Sequence, residues 1–150
     1  MFWRLTCIPT FIVLLLVVGC VASKGDVQQF VPYEEGHTYI LDPPMGYKQL
    51  FVSGDHERRH EYWYRDSMVL YVSTFMNPMN YEELRASGKY YEWFEAFMNG
   101  DTLLLAGHSS TGLFWQDRLL GNKVHIGFRN IPAAELEKFK AAAFSFRQLK

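Results

Sequence analysis

Three runs in the second half of the chain, "TLLLAGHSS", "GLFWQDRLL" and "KVHIGFRNI", are separated only by Thr111-Gly112 and Gly121-Asn122. The runs are rich in residues that favour strands, and both separators are turn chemistry, so the segment reads as three strands joined by tight turns. Connections this short reverse the chain and leave no length for a crossover to a parallel neighbour. An antiparallel sheet is therefore required. The same pattern occurs earlier: "YKQLFVSG" reads as a strand, and "EYWYRDSMVLYVSTF" reads as two more around a turn at Arg65-Asp66-Ser67. Before them, "HTYILDPPMGY" offers a short strand that stops at Pro43-Pro44, because proline cannot donate to a ladder.

Between the two strand groups the period changes. In "NPMNYEELRASGKYYEWFEAFMNGD", Asn80 followed by Glu83 resembles a capping box, and Tyr90, Trp93, Phe94 and Phe97 share one helical face before Asn99-Gly100 stops it. Gly88 either kinks this helix or divides it in two. After the last strand, Pro132 suits a first helical position, and Leu136, Phe139, Ala143 and Phe146 form an apolar stripe. The order strands, helix, strands, helix indicates an α+β domain, with an antiparallel sheet of about six strands and two helical segments. "TFMNPMNYEEL" and "GFRNIPAAEL" share an Asn, a Pro and a Glu-Leu at a strand-to-helix junction, a weak hint of duplication.

The N-terminus obeys other rules. "MFWRLTCIPTFIVLLLVVGC" carries Arg4, then an apolar run through Val18, then small residues, which is the layout of a secretory signal. Its end, Val17-Val18-Gly19-Cys20, resembles the lipobox of bacterial lipoproteins. That resemblance implies that residues 1–19 are removed, that the Cys20 thiol receives a diacylglycerol, and that its new amine takes a further acyl chain such as palmitate. Each buried methylene contributes ~0.8 kcal/mol, so two or more chains would hold the protein on a bilayer. Val21 rather than aspartate after the anchor points, by the same resemblance, to the periplasmic face of the outer membrane. An uncleaved span over residues 5–22 competes less well, because Pro9 and Thr10 interrupt it. Residues 20–36 then read as the lipidated cysteine and an aperiodic tether, and residues 37–150 as a single domain. With Cys7 in the leader and Cys20 lipidated, no disulfide is available.

A formal net charge of -1 supplies no basic field for phosphate backbones, so nucleic acid is not an expected partner. One chemical spelling remains in "GDHERRHE": His56-Glu57-x-x-His60 matches H-E-x-x-H, which on a helix sets two histidines on zinc with the glutamate as base. The setting argues against a helix. Ser53-Gly54-Asp55 is turn chemistry, Arg58-Arg59 is charged where such helices are buried, and "EYWYR" is strand-like. The better expectation is an exposed, charged hairpin tip whose His56, Arg58, Arg59 and Glu61, with Trp63 beside them, contact a protein partner. "GHSSTG" at His108-Ser109-Ser110 reads as a turn rather than a nucleophile with its base, and His37 and His125 read as structural.

No Gly-rich phosphate cradle, C-x-x-C pair or EF-hand spacing occurs, so no cofactor is implied. Consecutive aromatics at Tyr62-Trp63-Tyr64, Tyr90-Tyr91 and Phe114-Trp115 predict either exposed binding aromatics or a core that covers both sheet faces, the second being favoured. The expected function is that of a lipid-anchored, periplasm-facing binding module without catalysis. It would be an accessory of an envelope assembly or an inhibitor or immunity-type lipoprotein, with a small zinc hydrolase as the alternative.

Overall fold

A computed structural model of the chain describes residues 27–31, 37–121 and 123–149; the expected leader, the expected lipidation site Cys20 and most of the expected tether lie outside the described residues. In chain order the elements are β1 (Gln28–Phe30), β2 (Tyr39–Leu41), β3 (Lys48–Gly54), β4 (Glu57–Trp63), β5 (Val69–Ser73), α1 (Tyr81–Ala86), α2 (Tyr90–Asn99), β6 (Thr102–His108), β7 (Phe114–Leu120), β8 (His125–Ile131), α3 (Leu136–Ser145) and β9 (Arg147–Gln148). Six strands form one antiparallel sheet in the order β3-β4-β5-β8-β7-β6, and β1-β2-β9 form a small second sheet. The α+β class and the six-stranded antiparallel sheet agree with the sequence reading. Gly88 divides the first helical segment into α1 and α2, its backbone turning left-handed at φ 73°. Among the described residues no helix is long and apolar enough to cross a membrane.

Both faces of the large sheet are covered, because its central strands alternate apolar residues to each side. On β5, Leu70 and Val72 face one layer while Val69, Tyr71 and Ser73 face the other, and all five are buried. The first layer is α3 with the small sheet: Phe139, Ala143 and Phe146 pack with Leu70, Val72, Ile126 and Phe128. The second is α1 and α2, whose Leu84, Trp93 and Phe97 pack with Leu105, Trp115 and Leu119. Most of the consecutive aromatics accordingly serve the core, Tyr62 being buried in the first layer and Trp115 in the second, whereas Tyr91 stays exposed. Complete burial of a phenyl ring such as that of Phe139 contributes ~1.5–3 kcal/mol.

The tether expectation needs a correction. Gln28–Phe30 is a strand paired to β2, and Phe30 is 1% exposed, with its ring 5.1 Å from His60 and 6.4 Å from Phe146. Three residues are too few to display a period, so only burial of the aromatic ring reveals that this stretch joins the domain. The hint of duplication also changes meaning. Each half is a three-stranded meander followed by helix, and the sheet order mirrors about β5-β8. Antiparallel neighbours are related by a two-fold axis through the sheet, which preserves faces, yet α1-α2 and α3 lie on opposite faces. Shared helix-start chemistry explains the resemblance of the two junctions.

Candidate functional site

The segment that spells a metal site is half turn and half strand. Gly54 pairs with Glu57, which leaves Asp55 and His56 as a two-residue turn, with His56 in left-handed backbone at φ 60°. Glu57–Trp63 is extended, so three strand steps of ~3.3 Å separate Glu57 from His60, and His56, in the turn beyond, is not one helical turn from His60. Glu57 Oε1 accepts the Met76 N–H at 3.2 Å. The ring of His60 packs edge-on between Phe30 and Phe51, at 5.1 and 5.0 Å. Among the described residues no three His, Cys, Asp or Glu side chains converge as a ligand set.

The hairpin-tip expectation is corrected as well. Only Asp55 and His56 form the tip; Arg58, Arg59 and Glu61 belong to β4, one strand in from the edge, where pairing with β5 overrides their polarity. Alternation then splits the group. Arg58 lies on the α3 side, where its guanidinium donates to the Val31 carbonyl at 3.1 Å. Arg59, Glu61 and Trp63 lie on the α1-α2 side. There Glu61 is 3% exposed, accepting the Trp63 Nε1–H at 2.7 Å, with Arg59 Nε 2.7 Å away. The Arg59 N–H is not aligned on an acceptor, so that contact is chiefly Coulombic. Arg129 stacks over Trp63 at 5.9 Å and Arg59 over Phe75 at 5.1 Å. Glu61 is thus occupied inside the sheet, and the five residues His56, Arg58, Arg59, Glu61 and Trp63 do not form one contact surface.

Burial, and then the Arg58 charge, hold the His60 imidazole below its ordinary value of 6.5. A base whose folded value is lowered is neutral in both states above pH 6.5, and below it the unfolded chain binds the proton more readily. Stability is therefore intact above pH 6.5 and falls as the pH drops towards the folded value. The expected result is that the drop in Tm between pH 7.5 and 5 is smaller in His60→Gln than in the unaltered chain; an equal drop would refute this role.

A polar cluster that sequence reasoning did not assemble lies beneath α2. Asp117, 1% exposed, accepts the Tyr71 hydroxyl, the Trp93 Nε1–H at 3.2 Å and a contact from His125 Nδ1 at 3.2 Å. His125 Nε2 lies 3.1 Å from the Phe75 carbonyl oxygen, so a hydrogen on either ring nitrogen finds an acceptor. Asn80 Nδ2 reaches Tyr71 Oη at 3.1 Å and the carbonyls of Gln116 and Phe128 at 2.9 and 3.3 Å. Burial and the neighbouring Asp117 raise the Tyr71 phenol well above its usual range, keeping it a donor. Carboxylate, imidazole and phenol would be a catalytic vocabulary in a cleft. Here Tyr71, Asp117 and His125 are all closed off from solvent, and they tie β5, β7 and β8 to α2 and to the 74–80 connection. A signal existed in the sequence: Asp117 has the inward parity of Trp115 and Leu119, and a hairpin at Gly121-Asn122 sets it diagonal to His125 on one face.

The remaining candidates are local. In "GHSSTG" the Ser109 N–H donates to the Leu113 carbonyl and Ser109 Oγ meets Thr111 Oγ1 at 2.8 Å, closing a turn, while His108 faces a backbone carbonyl. His37 Nδ1 meets the Gln148 amide at 2.8 Å beside the small sheet. Tyr91 is 77% exposed, while Tyr90 turns back onto Tyr81 at 5.0 Å.

What the surface does offer is an edge. Among the described residues β3 is the terminal strand of the large sheet, and most of its residues are exposed, with Leu50 at 48% and Phe51 at 53% pointing to opposite faces. In a two-residue hairpin the closing pair Gly54/Glu57 exchanges hydrogen bonds and every second pair repeats this, so the peptide groups of Gln49, Phe51 and Ser53 face outward. The Thr74 N–H donating to the Arg58 carbonyl on the far side of β4 fits this phase. No proline and no bulge interrupts β3, so it lacks two of the devices that blunt a strand edge. No known family model, no curated protein and no solved structure matches the chain.

Proposed function

We propose that the chain is a lipid-anchored, periplasm-facing binding module without catalytic activity, which takes up an extended segment of a protein partner along β3. The observation that carries this is the seven-residue edge with outward peptide groups at Gln49, Phe51 and Ser53, flanked by exposed Leu50 and Phe51. Strand addition draws affinity from main-chain hydrogen bonds and specificity from side chains on alternate faces, and this edge supplies both. The opposite edge, β6, has one face under α2, where Leu105 is buried. The enclosure of Asp117, His125 and Tyr71 supports a structural use of the strongest titratable groups. The lipobox at Val17-Val18-Gly19-Cys20 supports delivery to the outer membrane, where an accessory or an inhibitor and immunity-type lipoprotein would meet its partner.

A photo-crosslinking residue at Phe51 in the native envelope tests the edge. A discrete crosslinked partner is expected, and Gln49→Pro should reduce it at least about tenfold, because proline removes an outward donor and sets its ring against the incoming strand. Gln49 makes no hydrogen bond to β4 in this register, so the hairpin persists. Loss of no signal, or the same partner captured from Leu104 on the other edge, would sink the proposal. The anchor has its own test: Cys20→Ser should abolish acyl labelling and release the chain from the membrane fraction, and retained labelling would overturn it.

A further inference from the structure

A second site lies away from β3, where β7 and β8 meet the start of α3, and it does not depend on the β3 reading. A half-open cavity of about 290 Å³ is walled by Phe114, Phe128 and Leu136, with His108 and Lys140 also lining it. Gln116 contributes to the lining too, is 3% exposed, and its Nε2 has no hydrogen-bond partner among the described residues. A buried donor left unpaired carries its full desolvation penalty, so its presence calls for an acceptor. The backbone is shaped here as well. A bulge, with Asn130 in left-handed conformation at φ 59°, separates the pairs Phe114/Ile131 and Gln116/Phe128. Bulges commonly re-aim side chains beside a site.

The charge is one-sided. Among the described residues, Lys140 and His108 are the ionisable ones that line the cavity, and no acid does. Lys140 Nζ meets Glu137 Oε1 at 2.9 Å, but that carboxylate is 85% exposed, and such a surface pair yields to a better-placed anion at little cost. The walls are aromatic and aliphatic, and the volume is near the lower end of ligand pockets at ~300 Å³. From these we infer that the cavity binds a small apolar carboxylate, an aryl or acyl chain on the Phe114-Phe128-Leu136 wall, with its carboxylate taking the Gln116 amide N–H and the Lys140 ammonium.

The test uses the full chain in lipid nanodiscs with 3-phenylpropionate as probe and 3-phenylpropanamide as its neutral counterpart, read by saturation-transfer NMR. Saturable binding with Kd of about 1 mM or tighter is expected, since ~0.3–0.4 kcal/mol for each of ~11 heavy atoms is ordinary. Gln116→Leu and Lys140→Met should each weaken it about tenfold, and the neutral amide should bind about tenfold more weakly than the acid. No saturation below ~10 mM, binding that survives either substitution, or equal binding of acid and amide overturns the site. Circular dichroism checks that Gln116→Leu keeps the fold; Lys140 lies on the surface of α3, so Lys140→Met and the acid-amide comparison decide the matter even if it does not.

Discussion

Asp117→Ala is expected to lower the stability of the domain by about 3 kcal/mol or more, because each buried donor left without its acceptor costs ~1–3 kcal/mol. Two buried donors lose their acceptor at once, the Tyr71 hydroxyl and the Trp93 indole N–H, and His125 keeps only its contact with the Phe75 carbonyl. Against a total of ~5–15 kcal/mol for a domain, this is a large share. Urea unfolding followed by circular dichroism measures it as a fall in midpoint at unchanged slope. Asp117→Asn keeps the size and one acceptor but turns an amide N–H towards a donor, so an intermediate loss is expected. A loss below ~1 kcal/mol in Asp117→Ala would mean that the cluster is not what ties α2 to the sheet.

The second large effect is expected at Gly127. It sits on β8 opposite Tyr71 on β5 and Asp117 on β7, at the middle of the sheet. A Cβ placed there would fall inside the contact distance of Tyr71 Oη and of the Gln116 carbonyl oxygen. Gly127→Ala should therefore cost about 3 kcal/mol or more, because overpacking at a site walled by backbone cannot be relieved by a rotamer change. A thermal melt should show this as a loss of about 10 °C. Adding Tyr71→Phe should not rescue it, since the Gln116 carbonyl is backbone and remains. Full recovery in the double variant would show that the hydroxyl alone enforces glycine.

Much of the architecture was legible because it rests on local chemistry. The turn signals at Thr111-Gly112 and at Arg65-Asp66-Ser67 became the β6-β7 and β4-β5 connections, and Gly88 and Gly100 punctuated the helices as their backbone freedom requires. The site was less legible, for two physical reasons. Polarity suggested that "DHERRHE" would be an exposed tip, but β4 has sheet neighbours on both sides, and hydrogen-bond pairing draws Glu61 into the interior once Arg59 and Trp63 can satisfy it. The Asp117 cluster draws on residues spread from Tyr71 to His125, each unremarkable in its own segment.

By itself, then, the sequence determined the α+β class, the antiparallel pairing, the helix-breaking glycines and the absence of a helical setting for His56 and His60. These follow from periodicity and turn chemistry within a few residues of each position. Which face each helix covers, the capture of Phe30 by the core, the enclosure of Glu61 and Asp117, and the exposure of β3 as an edge were decided only by the tertiary structure. All four depend on which strands become neighbours, and that is settled by long-range burial and pairing that no local pattern encodes.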